Sequence, residues 1–167
     1  MLRRILKVTV LTWAVVLMTA TAAFAQNPHF IRASARLSGT NLVVSWKEAG
    51  LGNNQLITYV ASADATATYV CVNRGGANPS AQNKTTVSGP VSATGTFSSG
   101  QNGQITQSLT ILPPGPGSFT CPPGQSRELA QVTYTNVVIT DTTNDVSASI
   151  PGTFSTGCLL PNVRGAC

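Results

Sequence analysis

The sequence predicts an all-β fold, an immunoglobulin-like or similar Greek-key β-sandwich of seven or eight strands with two disulfides. Apolar residues after residue 25 recur at every second position and not at the 3.6-residue period of a helix. Thr, Val, Ser, Gly and Asn dominate this region, and turn signals rich in glycine, asparagine and proline separate the apolar runs. A small closed β-barrel is the alternative, because short alternating strands suit both architectures.

Four strands are predicted in the first half of the chain, over residues 30–37, 41–47, 55–60 and 66–72. The second is the clearest, because Leu42, Val44 and Trp46 occupy one face of an extended chain. We expect Trp46 to lie in the core and not to serve as an exposed platform for a sugar ring, since a buried strand tryptophan is common in immunoglobulin-type folds.

The second half contains four more alternating runs, over residues 87–97, 105–111, 128–140 and 146–154. Asn102-Gly103 between the first two tolerates positive φ at both centres of a tight turn, which predicts a β-hairpin. For residues 128–140, Ala130, Val132, Tyr134, Asn136 and Val138 share one side, which we predict to be the core face at the start of the strand. Both faces become apolar later, which predicts a central position in the sheet. Pro151 breaks the last run, as in an edge strand or a bulge.

The first 25 residues are typical of a secretory signal peptide. Arg3, Arg4 and Lys7 precede an apolar stretch, and Ala23-Phe24-Ala25 offers small residues at a cleavage site. A transmembrane anchor is one alternative, but small and polar residues interrupt the apolar stretch that would have to cross the membrane. A twin-arginine signal is another, but the apolar stretch follows the arginines too closely to favour it. We therefore expect cleavage after Ala25, a single secreted domain over residues 26–167, and a product that is not embedded in a membrane.

The charge of this domain excludes some partners. Seven basic residues remain after residue 25 against five acids, a net charge of +2. This near-neutral balance gives no basis for a nucleic-acid partner, and the single Arg74-Gly75-Gly76 triplet is a turn and not an RNA-binding repeat.

The four cysteines predict two disulfides in an oxidising compartment. Three pairings are open, and we favour Cys71–Cys121 with Cys158–Cys167. A zinc site is the competing use, but no pair has Cys-x-x-Cys spacing and only His29 could assist.

Groups suited to catalysis are few. His29 is the only histidine, close to the expected new N-terminus, and no G-x-S-x-G motif occurs. A glycosidase would need paired acids, formed by Glu48 or Glu128 with Asp64, Asp141 or Asp145, but these acids are also ordinary turn and strand-end residues. We predict no catalytic residue and no cofactor.

Binding candidates are correspondingly weak. Asp141, Asn144 and Asp145 form an oxygen-rich stretch that could surround calcium, although turn capping explains the same residues. Tyr59 and Phe119 are the aromatics that we expect to be exposed, and Arg74 and Asn78 lie in the loop after Cys71. Asn83-Lys84-Thr85 is an N-glycosylation acceptor if the producing cell glycosylates exported proteins.

The segments YVCVNRGGANPSAQNKTTVSGPVSATGTFSSGQNGQIT and LAQVTYTNVVITDTTNDVSASIPGTFS resemble a group of small secreted proteins of bacteria and fungi without an assigned activity. The similarity covers about Ser45 to Ser155. It implies a shared sandwich and transfers no site residue, because its motifs are structural.

The sequence thus favours a secreted, non-enzymatic binding or surface-associated module whose loops meet an extracellular polysaccharide or protein. A glycoside hydrolase with paired carboxylates and a purely structural matrix protein are the alternatives, since sandwiches host all three kinds of function.

Overall fold

The computed structural model describes residues 26–73, 75 and 83–167. In this part, the chain forms eight strands and no α-helix. The strands are β1 (His29–Ser38), β2 (Asn41–Ala49), β3 (Leu56–Asn73), β4 (Lys84–Ser98), β5 (Gln104–Ile111), β6 (Gln125–Asp141), β7 (Val146–Ile150) and β8 (Phe154–Ser155).

The strands form two antiparallel sheets packed face to face. The small sheet has the order β1-β2-β5, and the large sheet has the order β4-β3-β6-β7, with β8 paired to β6. The predicted β-sandwich is therefore confirmed, and the alternative of a closed barrel is wrong. The predicted leader, residues 1–25, lies outside the described residues.

Alternation along the central strands builds the core between the sheets. In β2, every second residue is buried, and Trp46 is in the core as predicted. Its ring packs against Tyr59 of β3 at a centroid distance of 4.7 Å and against Phe97 of β4 at 5.8 Å. The Tyr134 hydroxyl of β6 donates to the Thr40 carbonyl at 2.8 Å, which ties the large sheet to the β1–β2 turn.

Strand β3 corrects the prediction of two separate strands. It runs unbroken from Leu56 to Asn73, with Ala61, Ala63 and Ala65 buried at every second position. Alanine has low β-propensity, so residues 61–65 give little strand signal. Small side chains nevertheless suit the centre of this sandwich, where β3 pairs with both β4 and β6.

The predicted hairpin at Asn102-Gly103 is wrong. Strand β4 pairs with β3 in the large sheet, while β5 pairs with β2 in the small sheet, so residues 99–103 cross between sheets. Positive φ occurs at Gly100 and Gly103 and not at Asn102. Hydrogen bonds from Leu51 N to Gly103 O and from Asn54 N to Gly100 O tie this crossing to the β2–β3 connection.

A β-bulge at Asn136 changes which residues of β6 face the core. Asn136 has φ of 52°, and the register to β3 shifts between Ser62 and Asp64. Tyr134 is buried before the bulge, and Val137 and Ile139 are buried after it. The predicted core positions Ala130, Val132 and Tyr134 are confirmed as buried. Beyond Tyr134 the extra residue reverses the alternation, so Asn136 is exposed and Val138 is half-buried on the outer side of the sheet.

Both predicted disulfides are present. Cys71–Cys121 joins the end of β3 to the loop after β5, and Cys158–Cys167 closes the C-terminal segment. No cysteine of the chain is left free for zinc. The C-terminal segment covers a second, small core of Val70, Ala130 and Ala166, and Leu159 N donates to the Ala130 carbonyl at 2.8 Å.

Candidate functional site

Of the four residues predicted to bind a ligand, the structure describes Tyr59 and Phe119. Arg74 and Asn78 lie outside the described residues. Tyr59 is fully buried, so the expectation that it is exposed is wrong. The alternation of β3 places Tyr59 on the same face as Ile57 and Ala61, against the Trp46 and Phe97 rings. The sequence suggests exposure because Tyr59 lies near the end of the predicted strand 55–60, whereas the observed strand continues to Asn73.

Phe119 and Asn83 keep their status as predictions. Phe119 is half-buried in the loop between β5 and β6, and its carbonyl accepts a hydrogen bond from Arg127 Nη1 at 2.8 Å. Asn83 is half-buried at the start of β4, and its Nδ2 donates to Gln125 Oε1 at 3.3 Å. Glycosylation at Asn83 would replace one of the two Nδ2 hydrogens, so the hydrogen bond to Gln125 would have to use the other.

The proposed calcium residues form a self-capped turn between β6 and β7. Asp141 Oδ1 accepts hydrogen bonds from the backbone N–H groups of Thr143 and Asn144 at 2.8 and 3.0 Å, and its Oδ2 accepts one from Asn144 Nδ2 at 2.6 Å. The Asp141 carboxylate is buried, whereas Asp145 is exposed. The described residues contain no cluster of three or more His, Cys, Asp or Glu residues that could hold a metal ion. The geometry thus favours turn capping as the role of these residues.

A buried polar cluster lies between the two sheets at this end of the sandwich. It contains Trp46 and Glu48 of β2, Tyr59 of β3 and Asp141 at the end of β6, all nearly or fully inaccessible to solvent. Trp46 Nε1, both carboxyl oxygens of Glu48 and the Tyr59 hydroxyl lack a hydrogen-bond partner of standard geometry among the described residues. Buried polar groups without partners are costly, about 1–3 kcal/mol each.

The environment of the cluster favours a protonated Glu48. Burial raises the pKa of Glu48 to about 7, and the nearby Asp141 carboxyl adds to the rise. The Tyr59 hydroxyl and the positive charge of His29 oppose it. Burial and the Glu48 carboxyl raise the pKa of Tyr59 well above its ordinary value, so Tyr59 remains a hydroxyl. The raised pKa values follow from removing charge from water and from placing two acids together.

Of the acid pairs proposed for a glycosidase, the fold brings together Glu48 and Asp141. The remaining acids are exposed and do not belong to this buried pair. Asp64 is on the outer face of the large sheet, where Asn136 Nδ2 donates to it at 2.8 Å, Glu128 is exposed near the start of β6, and Asp145 is exposed in the β6–β7 turn. A glycosidase needs its two carboxyl groups on either side of a bound sugar. Because Glu48 and Asp141 are both fully buried, no sugar can reach them in this conformation.

The outer face of the small sheet carries an uncompensated positive charge. We call it the basic face and define it by Arg32 and Arg36 of β1 and Lys47 of β2. Arg32 lies directly opposite Lys47, and Ser34, Ser45 and Ser108 form the neighbouring cross-strand row. The only acid of the three strands of this sheet is Glu48, which points into the core.

A shallow depression accompanies the basic face. Its volume is about 510 Å³, and it is lined by Arg32, Ser34, Ser45, Thr106, Gln107 and Ser108 together with Trp46, whose side chain is almost fully buried. The sequence gives little indication of this site, because the basic residues are few and lie far apart in the chain. The available signal is the alternation of β1 and β2, which places Arg32, Arg36 and Lys47 on the faces opposite their apolar neighbours.

The outer face of the large sheet is different in chemistry. Hydroxyl groups face each other across the strands, with Thr58–Thr96 and Thr66–Ser88 of β3 and β4 both at 2.9 Å. Thr140 and Ser147 repeat the contact between β6 and β7 at 2.9 Å. These hydroxyls satisfy one another, and Asp64 is the one charged side chain in this part of β3.

Within the part of the chain that the structure describes, no helix has the length and apolar character to cross a membrane. No protein-family model, curated protein or solved structure matches the chain.

Proposed function

We propose that the protein is exported and acts outside the cell as a non-enzymatic binding module. Its partner is an extracellular polymer that lies on a flat sheet face and does not enter a catalytic cleft. The observation that carries this proposal is the exposed basic face, a polar surface with unpaired charge on a rigid sheet. Two disulfides and the signal-like residues 1–25 support export, because disulfides persist in oxidising compartments.

The burial of the acid pair supports a binding role over a hydrolytic one. Glu48 and Asp141 are the acids that the fold places together, and neither is exposed to solvent. Both acids lie between the sheets and belong to the core, whereas the exposed polar residues lie on the outer faces of the sheets. Sheet faces thus replace loops as the recognition surface in this proposal.

We further propose an immunoglobulin-like topology. The second and fifth strands pair in one sheet, and the third, sixth and seventh pair in the other, as in the immunoglobulin order. The fourth strand joins the third instead of the fifth, which departs from the constant-type domain. The disulfide arrangement is also different, because Cys121 lies in a loop and not in a strand.

The test of the proposed function is a binding and turnover screen on the protein purified from cells that express the full chain. The ligands are neutral and charged polysaccharides and isolated cell-wall polymers. We expect retention on at least one polymer without release of new reducing ends, and Glu48→Gln should bind as the wild type does. Release of reducing ends that is abolished by Glu48→Gln or Asp141→Asn would contradict the proposal, as would an absence of binding to every polymer.

A further inference from the structure

The basic face contains a charge arrangement that the fold itself does not need. Arg32 of β1 and Lys47 of β2 are directly opposite each other in the register, and Arg36 follows on the same face of β1, about 13 Å from Arg32 at the rise of a strand. Like charges directly opposite in a sheet are destabilising. A feature that lowers stability and has no structural role is expected at functional sites.

None of these three charges is neutralised within the described part of the chain. No ion pair forms there with Arg32, Arg36 or Lys47, and the acid nearest in sequence, Glu48, faces the core. Arg32 and Arg36 are exposed, and Lys47 is half-buried. The positive charge is therefore directed to solvent and available to an anionic partner.

The surroundings of the three charges narrow the partner's chemistry. Ser34, Ser45 and Ser108 form a cross-strand row beside the Arg32–Lys47 pair, and Thr106 lies opposite Lys47 on β5. Hydroxyls between cations suit a ligand that carries both anionic groups and hydroxyls. The outward positions of this face have no aromatic ring on which a nucleic-acid base could stack, and no cluster of large apolar side chains that could enter a lipid surface.

We propose that the basic face binds an anionic polysaccharide, with Arg32, Arg36 and Lys47 contacting its acidic groups and the serine row contacting its hydroxyls. This inference rests on the proposed function and specifies its ligand and surface. A polymer lying along β1 can meet Arg32 and Arg36 successively, while Lys47 and the serine row define the width of the contact.

The test compares the affinity of three proteins for polygalacturonate at low and at physiological salt. They are the wild type, the triple variant Arg32→Gln/Arg36→Gln/Lys47→Gln, and a matched variant Lys84→Gln/Arg127→Gln/Arg164→Gln. Both variants lose three positive charges, but the second loses them outside β1, β2 and β5. Dextran as a neutral polymer, double-stranded DNA and anionic lipid vesicles are the comparison ligands.

We expect the wild type and the matched variant to bind polygalacturonate, and the basic-face variant to bind it about tenfold more weakly at low salt. The dependence of affinity on salt should become shallower in the basic-face variant, because fewer counterions are displaced. Its melting temperature should equal or exceed that of the wild type, since the repulsion between residues 32 and 47 is removed, which separates loss of binding from loss of fold.

Other outcomes overturn the inference in distinguishable ways. Equal weakening in both triple variants would mean that total charge, and not this face, governs binding. Preference for DNA or vesicles over polygalacturonate would reject the ligand class. If the protein binds dextran or another neutral polymer and the basic-face variant binds it equally, the proposed function stands and the inference about the basic face is rejected. If no polymer is bound, the proposed function and the inference are both rejected.

Discussion

Glu48 is the residue through which pH acts most directly on the stability of the fold. Its pKa is about 7 in the folded protein, above its ordinary value of 4.5, because it is buried beside Asp141. The folded state therefore keeps a proton that the unfolded state releases between about pH 4.5 and 7. The contribution of Glu48 to stability is therefore greatest at or below about pH 4.5. It falls through this window by about 3 kcal/mol in total and is constant above it.

Replacement of Glu48 by Gln should remove this dependence. Gln approximates the protonated acid, so Glu48→Gln should match the wild type at pH 4.5 and exceed it at pH 8 by up to about 3 kcal/mol. Urea unfolding at several pH values from 4.5 to 8 measures the difference, with the exposed Glu128→Gln as the control. Parallel pH profiles for Glu48→Gln and the wild type would show that Glu48 is not the titrating group.

Asn136 is the residue that positions the second half of β6. Its φ of 52° is strained for most side chains but is accessible to asparagine and glycine. We expect Asn136→Ala to be less stable than Asn136→Gly by about 1 kcal/mol, because both variants lose the contact with Asp64 and only alanine opposes the backbone conformation. Denaturant unfolding of the two variants checks this order, and an equal stability would argue against a strained bulge.

At the scale of elements, alternation predicts strands well where one face is strongly apolar. In β2, Leu42, Val44 and Trp46 are all buried, as their spacing indicates. The same rule fails across residues 61–65, where alanines supply the buried face without a strong strand signal. It also fails after Asn136, because one extra residue reverses every later position and leaves no clear trace in composition.

Pairing between strands is harder to predict than the strands themselves. Asn102-Gly103 is a strong hairpin signal, yet β4 and β5 belong to opposite sheets. Both strands have one apolar face, and local alternation cannot distinguish pairing side by side from packing face to face. The same limit applies to the candidate sites. The sequence offers Glu48–Asp141 as one of several possible acid pairs without selecting it, and it gives no sign that Arg32 lies opposite Lys47.

The C-terminal segment is an element whose contribution can be measured separately. Its disulfide closes a separation of 9 residues and holds the cover of the small core around Ala130, whereas Cys71–Cys121 closes a separation of 50. Chain entropy predicts stabilisation of about 3 kcal/mol for the short loop and about 4 kcal/mol for the long one. Paired Cys→Ser variants should follow that order in urea unfolding.

Local exposure should distinguish the two disulfides further. In Cys158→Ser/Cys167→Ser, we expect faster amide exchange at Leu159 and Ala166 while β2 and β3 remain protected, because the main core does not depend on the segment. Exchange that accelerates equally throughout the chain would mean that the segment and the sandwich unfold as one unit.

For the whole molecule, the distribution of charge is more informative than its total. The net charge of +2 expected after removal of residues 1–25 gave no reason to predict an anionic partner. Folding buries Glu48 and Asp141 and collects Arg32, Arg36 and Lys47 on one sheet, so a nearly neutral chain acquires a locally basic surface. This separation of buried acids from exposed basic residues follows from strand alternation and sheet pairing. The net charge of the chain contains no information about either.

The most direct test of this account is to map the binding surface by amide chemical shifts, during titration of the isotope-labelled protein with a soluble oligogalacturonate. We predict that the largest shifts occur at residues 32–36, 43–47 and 106–110, and that raised salt reduces all of them. Shifts concentrated on the hydroxyl rows of β3 and β4, on residues 73–83 or around Glu48 would contradict the account, and so would an unchanged spectrum at saturating ligand.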